Sequence, residues 1–447
     1  MKFRNYSQVL LAAVVSLGLV FGLSSCTSSY TIGYLYVVGT TSSAQQNSPS
    51  GSFTGFKIDN NTGKLTQING LPGTGGSNPV RAVIPVPNLY VYVLNQGIKN
   101  STTGNYDGAN ITQFSIGGNG LLFSVNAQYM TQGLNPTRLV ADPSGRYLYA
   151  MDSKVPACDN VNTGDGDITV FSVSQTTGRL TVIPNNQLTE PTACAPNNAK
   201  NLPLQYFPIP SNPIDMLVSG GYVFTVHGAS TFTTLSGTNS YGPGIVYPYR
   251  QDTSNGQLVV SQSGPQPTGA SAPTALTGAA GGTIYLLDNK SVTIGSTTYL
   301  SQILPFSIGT QGALGSVGSG AIGNDMLIPN PTALLVESGG RFVYVTNAND
   351  ATPNVLQPES DITGFVIDSV SHNFTPIASA FATGSGPQCI VEDPSNQYIY
   401  TADSNDALVN GRKIDHTSGL LENLNTPVQS YALQGPAAWC MVTSRTN

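Results

Sequence analysis

The stretch Asn135-Pro136-Thr137-Arg138-Leu139-Val140-Ala141-Asp142-Pro143-Ser144-Gly145-Arg146-Tyr147-Leu148-Tyr149 contains two short strands joined by a turn. It opens with Asn-Pro, continues as an apolar run, and turns at Asp-Pro-Ser-Gly, residue types that favour tight turns. It then enters a second run rich in Tyr and Leu, as expected of a half-buried strand. The stretch therefore predicts a β-hairpin with a recognisable beginning.

The same opening recurs along the chain, which indicates a repeat architecture with a period of about 60 residues. Equivalent openings begin at Asn78, Asn135, Asn212, Ala272, Asn330 and Gly386. Each unit continues into a third strand with an aromatic residue and then into a turn of the Thr-Gly-x-Leu kind. These third strands are predicted at residues 51–58, 109–116, 167–173, 244–249, 301–308, 361–367 and 407–414. The repeat therefore has seven units.

The first unit lacks its opening, because Tyr30 to Thr40 reads directly as a second strand. The missing piece lies at the other end of the chain, in residues 435–442. If the last strand completes the first unit, the ring closes without open sheet edges. The pattern predicts an all-β fold, a seven-bladed β-propeller of four-stranded antiparallel blades closed by the C-terminal strand.

The composition agrees with such a fold and excludes other classes of protein. The 447 residues include 49 Gly and 30 Pro, only 9% are charged, and the formal net charge is −6. No basic run is present to neutralise phosphates, which argues against nucleic-acid binding. The hydrophobic content of 39% argues against a disordered chain.

The N-terminal segment is typical of an export signal. Lys2 and Arg4 precede an apolar run from Val9 to Leu23, which is too short to span a membrane comfortably. The following Leu23-Ser24-Ser25-Cys26 resembles a bacterial lipobox, which implies cleavage before Cys26 and lipidation of its sulfur. Ordinary secretion with an incidental Cys is the alternative.

These features predict a signal peptide at 1–25, an anchor or linker at 26–32 and one propeller domain at 33–447. The protein is expected in the bacterial cell envelope, as a monomer held to the membrane only through Cys26. Thr27 after the lipidated residue favours, by analogy, the outer membrane or periplasm.

The remaining cysteines suggest disulfides, because an even number in an exported chain is typical of them. Cys158, Cys194, Cys389 and Cys440 allow three connectivities. The repeat register favours Cys158–Cys194 and, less strongly, Cys389–Cys440. No Cys-x-x-Cys spacing is present, which argues against a zinc site.

The repeat motifs resemble those of a known family. Tyr344-Val345-Thr346-Asn347 is similar to the second-strand motif of YVTN-type propellers. Together with the Asn-Pro openings and the Thr-Gly-x-Leu turns, it resembles the lactonase family of seven-bladed propellers, which includes 6-phosphogluconolactonase-like members. The resemblance covers residues 30–447 and implies the propeller fold and, less specifically, lactone hydrolysis.

Two rings of residues are expected to surround the channel on one face. The residue two places after each opening Pro is Arg81, Arg138, Asp215, Ala275, Ala333, Cys389 and Ala438 in turn. The residue ending each second strand is Gly39, Asn95, Asp152, His227, Asp288, Asn347 and Asp403 in turn. Charged and titratable groups are concentrated in three consecutive blades.

These residues could hydrolyse a lactone. Arg81 and Arg138 could bind a substrate carboxylate or phosphate, or stabilise a tetrahedral oxyanion. His227 is the candidate general base, because its ordinary pKa is close to neutral pH. Asp215 or Asp152 could orient the His227 ring.

A structural interpretation of the same residues remains open. Arg138 and Asp215 could form an inter-blade ion pair, and His227 could cap a loop. The resemblance implies sites built from Arg, His and Glu, but neither ring contains Glu. Ca²⁺ at the Asn and Asp ring has weak support, since such residues often close their own loops. No cofactor is expected.

Two functions therefore follow from the sequence. The first is an exported lactonase-like enzyme acting on a small sugar-acid lactone or a similar cyclic ester. The second is a non-catalytic periplasmic or cell-surface propeller that binds a protein or glycan partner. The substrate is beyond the reach of the sequence.

Overall fold

The structure is a computed structural model. It describes residues 29–444 apart from 42–49, 159–164, 196–198, 235–236, 280–281, 291, 295–296, 300, 319–321, 324–329, 349–359 and 378–379. The predicted signal peptide and the predicted lipidation site at Cys26 lie outside the described residues. No helix in the described ranges is long and apolar enough to cross a membrane.

The described residues form seven antiparallel blades, each with four main strands. The innermost strand of each blade contacts the innermost strands of both neighbouring blades, so the blades form a closed ring. This confirms the predicted seven-bladed all-β propeller. The third strands lie within two residues of their predicted bounds.

The strands are as follows, in blade order. The innermost strands are Ala437–Ser444, Pro79–Val83, Leu134–Ala141, Pro213–Ser219, Pro273–Gly278, Pro331–Val336 and Pro387–Glu392. The second strands are Thr31–Thr40, Tyr90–Asn95, Tyr147–Lys154, Tyr222–His227, Thr283–Asp288, Phe342–Asn347 and Tyr398–Asp403. The third strands are Ser50–Asp59, Asn110–Ile116, Gly166–Val173, Ile245–Gln251, Gln302–Ile308, Asp361–Ile367 and Leu408–Ile414. The fourth strands are Leu65–Ile68, Leu122–Tyr129, Leu180–Val182, Leu258–Val260, Leu314–Ser316, Phe374–Pro376 and Leu421–Asn423.

Shorter elements decorate this frame. Additional strands pair with the third strands of six blades, namely Gly73–Ser77, Phe207–Ile209, Gln266–Pro267, Ile322–Gly323, Phe381–Ala382 and Ser430–Ala432. Four hairpins are formed by Ile98–Lys99 with Tyr106–Asp107, Asn185–Thr189 with Pro203–Leu204, Ser230–Thr234 with Gly237–Tyr241, and Val292–Ile294 with Thr297–Tyr299. One 3₁₀ turn spans Thr310–Gly312.

The C-terminal strand closes the ring as predicted. Ala437–Ser444 pairs antiparallel with Thr31–Thr40, and Leu35 lies opposite Val442. The first blade is therefore assembled from both ends of the propeller chain. The first blade therefore has an innermost strand, as the other six blades do.

The openings of the repeat have a conformational cause. Asn135 and Asn212 have φ values of 61° and 54°, and Asn78, Asn330 and Gly386 are also left-handed. Asn and Gly tolerate this region better than other residues. His372 occupies the position of the turn glycine in the sixth blade with a φ of 55°.

Neighbouring blades are joined by tyrosine hydroxyls from the second strands. Tyr36 donates to the carbonyl of Gly120 in the next blade at 2.7 Å, and Tyr344 donates to Gly419 at 2.8 Å. Tyr400 of the seventh blade donates to Gly63 of the first at 2.7 Å. Each of these glycine turns therefore connects two strands of its own blade and accepts a hydrogen bond from the preceding blade.

Both disulfides favoured by the register are formed. Cys158 and Cys194 join the two long insertions of the third blade, with Cα atoms 5.1 Å apart. Cys389 and Cys440 join the innermost strands of the seventh and first blades, with Cα atoms 5.9 Å apart. Cys440 lies one residue beyond Trp439, which is the position of the first blade that corresponds to Cys389 in strand pairing. Because side chains alternate between faces, the two cysteines point from facing sides of adjacent blades and can meet.

Candidate functional site

A β-bulge lies at the start of each innermost strand and determines which side chains can meet. In the second blade Pro79 pairs with Asn95, but Arg81 rather than Val80 pairs with Leu94. The same shift follows the opening Pro of the next five blades. Bulges of this kind redirect a side chain beside a functional site. The residue after the bulge is called the bulge-exit residue below.

The first blade has its bulge one residue later than a count from Pro436 predicts. Ala437 pairs with Gly39, and Trp439 pairs with Val38, so Ala438 is the extra residue. Trp439, and not Ala438, is therefore the bulge-exit residue of this blade. The seven are Trp439, Arg81, Arg138, Asp215, Ala275, Ala333 and Cys389.

Arg138 and Asp215 form an ion pair between the third and fourth blades. Arg138 Nε donates to Asp215 Oδ1 at 2.8 Å, and the two side chains are 20% and 13% exposed. The second oxygen, Asp215 Oδ2, accepts a hydrogen bond from the backbone N–H of Leu276 at 2.8 Å. Arg138 also donates to the carbonyl of Thr137 at 3.0 Å. The carboxylate is thus held on both oxygens.

Arg81 lies between this pair and the only tryptophan of the chain. Its Cζ atom is 3.7 Å from the centroid of the Trp439 ring, so the guanidinium stacks on the indole. Burial lowers the pKa of Arg81 to about 9, with a further contribution from the positive charge of Arg138. The side chain therefore remains a cation at neutral pH.

These four residues, Trp439, Arg81, Arg138 and Asp215, are called the basic arc. They come from the innermost strands of four consecutive blades. Arg81 makes one long hydrogen bond, 3.4 Å, to the adjacent carbonyl of Val80. A guanidinium has five N–H donors. Two cations beside one carboxylate give the arc a net positive charge and donor capacity for an anion.

His227 forms its hydrogen bonds with residues outside the basic arc. It is fully buried, and its Nδ1 lies 3.1 Å from the carbonyl of Ser211, which can only accept. Nδ1 therefore carries the proton, and Nε2 accepts from the Thr225 hydroxyl at 2.7 Å. Burial lowers the pKa of His227 to about 4, so the ring is neutral at neutral pH. In the described residues its hydrogen bonds do not reach Asp215.

Asp152 is likewise fully buried, two residues before the end of the second strand of its own blade. Thr131 Oγ1 donates to Asp152 Oδ1 at 2.9 Å. The other polar residues at the ends of the second strands are equally enclosed: Asn95, Asp288, Asn347 and Asp403 are all fully buried. Asp288 and Asn347 bond within their own blades, and Asn95 also accepts from Thr74 on the additional strand of the first blade. This ring therefore secures loops and strands rather than presenting side chains to a ligand.

The structure thus brings Arg81, Arg138 and Asp215 together and holds His227 and Asp152 in separate blade interiors. Trp439 was missed by sequence reasoning, because the bulge changes the register by one residue. The signal that could have found it is its uniqueness as the one Trp. Within the ranges described, no three His, Cys, Asp or Glu side chains converge as metal ligands.

Comparison with known proteins supports the resemblance seen in the motifs. Residues 246–436 match the family model described as "Lactonase, 7-bladed beta-propeller". No curated protein matches the sequence. The likeness to the lactonase family is therefore confirmed over that part of the chain.

Solved structures show the same fold over nearly the whole chain. A periplasmic gluconolactonase from Pseudomonas aeruginosa is 18% identical, with a TM-score of 0.62, and covers 93% of this chain and 100% of its own. A proposed 6-phosphogluconolactonase from Bacteroides uniformis is 16% identical, with a TM-score of 0.62 and the same coverage. Identities this low establish the propeller and not the activity.

Proposed function

We propose that the protein is exported and hydrolyses a small sugar-acid lactone, or a similar cyclic ester, at the mouth of the propeller channel. The observation that carries this proposal is the basic arc. It combines two cationic donors, a fixed carboxylate and an aromatic face at the start of four adjacent innermost strands. The match to the lactonase family model supports it.

The arc has the groups that lactone hydrolysis needs. Water adds to the lactone carbonyl, and the oxygen of that carbonyl becomes an oxyanion. The carbonyl then re-forms as the ring C–O bond breaks, and the released ring oxygen takes up the proton lost by the water. Arg81 and Arg138 would stabilise this developing charge, because both have N–H donors beyond those used in the structure. The Trp439 ring would form an apolar wall beside the Arg81 guanidinium.

Asp215 is the carboxylate best placed to take a proton from the attacking water. Its oxygens accept from Arg138 and from the Leu276 N–H, which fix its orientation and leave lone pairs on both atoms. His227 is less suited to this role, because it is enclosed and its Nε2 already accepts from Thr225. We therefore assign His227 and Asp152 to supporting positions in this proposal.

Export is supported by two observations. The protein has two disulfides, and such bonds persist in oxidising compartments. The gluconolactonase from Pseudomonas aeruginosa with the same fold is described as periplasmic. Lipidation of Cys26, with attachment at the outer membrane, completes the proposed location.

The experiment is a lactone hydrolysis assay on the purified exported chain, using a panel of neutral and carboxylated sugar lactones. Wild type is compared with Arg138→Ala and with Arg250→Ala, a control that removes an exposed arginine of the fourth blade. We expect turnover by wild type and the control, and a loss of about 100-fold or more for Arg138→Ala, as for removal of an oxyanion donor. Equal turnover by all three would contradict the proposal.

A second function is favoured by the loop-rich face of the ring. Three of the four hairpins that decorate the frame follow the end of a second strand, on the face of the basic arc, and the fourth, Asn185–Thr189 with Pro203–Leu204, follows the fourth strand of the third blade. A non-catalytic propeller would use this face to bind a protein or glycan of the envelope. No turnover in the assay, together with retention of one envelope component by wild type and not by Arg138→Ala, would support this alternative.

A further inference from the structure

The N-terminal end of the propeller lies on the face opposite the basic arc. The second strand of the first blade begins at Thr31, and Val38, which pairs with Trp439 of the arc, lies seven residues further along that strand. A strand rises about 3.3 Å per residue, so these two positions are about 23 Å apart. The face on which the second strands begin and the third strands turn into the fourth is called the turn face below.

Hydrogen bonds fix the chain where it reaches the turn face. The Tyr30 N–H donates to Asn60 Oδ1 at 2.8 Å, and the Asn60 N–H donates to the carbonyl of Tyr30 at 3.0 Å. The Ser29 hydroxyl donates to the carboxylate of Asp59. Asp59 ends the third strand of the first blade and Asn60 follows it. The chain therefore leaves the ring at a defined place on this face.

The distance from that place to the proposed lipid is short. Cys26 lies three residues before Ser29. Three residues span at most about 11 Å, even when fully extended. Since the acyl chains of a lipidated cysteine insert into the bilayer, the turn face of the first blade would be held within about 11 Å of the membrane surface. This reach is about half the distance along the strand from Thr31 to Val38, so the tether is too short to bring the opposite face to the bilayer.

Large apolar side chains are exposed on one half of the turn face. They belong to the sixth, seventh, first and second blades, which are consecutive in the ring, and are Val370, Leu420, Tyr30, Val86 and Leu89. The described turns of the third, fourth and fifth blades on this face contain no large hydrophobic side chain exposed to the same extent. Exposed apolar surface is typical of an interaction site. Here it occupies the half of the face from which the chain leads to Cys26, which favours a bilayer as the partner.

The carboxylates of the turns on this half are engaged within the turns themselves. Asp59, Asp368 and Asp415 each accept a hydrogen bond from a backbone N–H of their own turn, at 3.0, 2.7 and 2.8 Å. Lys64 is exposed beside the turn of the first blade and offers a cation to an anionic headgroup. This half of the face therefore suits a bilayer that contains anionic phospholipid.

We propose that the turn face of the first, second, sixth and seventh blades rests on the phospholipid bilayer that holds the lipid of Cys26, and that the basic arc faces away from the membrane. The ligand of the arc would then arrive from the aqueous phase and not from the bilayer. This proposal rests on the proposed lipidation of Cys26 and not on the proposed hydrolysis, because it depends only on where the chain leaves the ring and on which face is apolar.

The test places a fluorescent label on each face of the lipidated chain. Four of the five cysteines are in disulfides and the fifth would carry the lipid, so an introduced cysteine provides the thiol for labelling. Val370→Cys lies on the turn face, and Thr102→Cys lies on the exposed tip of the hairpin that follows the second strand of the second blade, on the arc face. Each protein is purified with its lipid and reconstituted into vesicles of phosphatidylethanolamine and phosphatidylglycerol.

A spin-labelled headgroup lipid then quenches whichever label lies at the membrane surface. We expect quenching of the Val370→Cys label to be several-fold stronger than quenching of the Thr102→Cys label. Hydrogen exchange of the wild-type chain provides a second measurement that needs no substitution. Vesicles should slow exchange in residues 85–89 and 415–420 and leave residues 98–107 unchanged.

A matched pair of variants tests the apolar side chains themselves. Val370→Ser combined with Leu420→Ser should reduce the protection of residues 415–420 by vesicles. Val260→Ser removes an equally apolar exposed side chain from the fourth strand of the fourth blade, and should leave that protection unchanged.

Three results would overturn the proposal, and the intact mass of the mature chain separates them. A mass without lipid would remove both the proposed location and the orientation that rests on it. A mass with lipid, together with equal or stronger quenching of the Thr102→Cys label, would reject the orientation and leave lipidation in place. A mass with lipid and no quenching of either label would show that the propeller is held away from the bilayer.

Discussion

Arg138 Nε lies 2.8 Å from Asp215 Oδ1, although 77 residues separate them and they belong to different blades. Both occupy the first position after the bulge of an innermost strand. The pair therefore links two blades at the point where the proposed site lies. The contribution of this ion pair to stability and its role in the proposed hydrolysis can be measured in separate experiments.

The ion pair should contribute measurably to stability. Arg138→Ala and Asp215→Ala should each lower the free energy of unfolding, and a double-mutant cycle should give a coupling of about 1–2 kcal/mol, because the pair is partly shielded from solvent. Urea unfolding of the four proteins measures it. Strictly additive effects would show that the pair forms without stabilising the joint between the blades.

Trp439 should report directly on the proposed site. It is the one tryptophan of the chain and stacks on Arg81, so ligand binding at the basic arc should change its fluorescence. Titration with a lactone, or with the sugar acid formed from it, should shift the emission of wild type. Arg81→Ala should move the emission of the free protein and weaken the response, while Arg250→Ala should leave both unchanged.

His227 should govern acid sensitivity. Its folded pKa, about 4, lies below its ordinary value of 6.5, so stability is complete above about pH 6.5 and falls as the pH drops towards 4. The loss at the acid end is expected to reach about 3 kcal/mol from this group. His227→Asn should remove that part of the pH dependence, as measured by urea unfolding at several pH values.

The same variant separates the role of His227 in packing from a role in catalysis. If His227 only supports the fold, His227→Asn should keep its turnover per folded molecule and the neutral-pH rate profile. A large fall in kcat without a change in folded fraction would return His227 to the mechanism as a general base.

The tyrosine hydroxyls between blades provide an internal comparison. Tyr400→Phe removes a hydroxyl that donates to Gly63, and should cost about 1 kcal/mol of stability or slightly more. Tyr149 is also fully buried, but in the described structure its hydroxyl has no hydrogen-bond partner. Tyr149→Phe should therefore be neutral or stabilising. Calorimetry of the two variants distinguishes the two cases.

The disulfide between Cys389 and Cys440 should secure the closure of the ring. The sequence separation is 51 residues, for which the chain-entropy treatment gives about 4 kcal/mol. Replacing both residues with Ala should lower the melting temperature and disturb Trp439, which neighbours Cys440. The matched change at Cys158 and Cys194 should leave the Trp439 emission intact, because that bridge joins the insertions of the third blade.

Much of the fold could be predicted from the sequence, because turn residues and the alternation of apolar and polar residues mark each unit of the repeat. Asn135 and Asn212 precede Pro where the backbone is left-handed, and such positions favour few residue types. Ring closure followed from the missing opening of the first unit. The candidate site was predicted less completely. Arg81, Arg138 and Asp215 do come together, but the bulge that brings Trp439 beside Arg81 has no fixed sequence signature.

The sequence by itself determined the number of blades, their order and the way in which the ring closes. The number and order of the blades depend on residues that are near neighbours along the chain, and turns and alternation reveal them. Ring closure follows from comparing the two ends of the repeat. Only the tertiary structure decided which charges meet. The repeat alignment places both His227 and Arg138 around the channel, yet one is enclosed and neutral and the other pairs with Asp215. Burial and contact between blades arise from packing over long sequence separations, and that packing is not encoded in any single unit of the repeat.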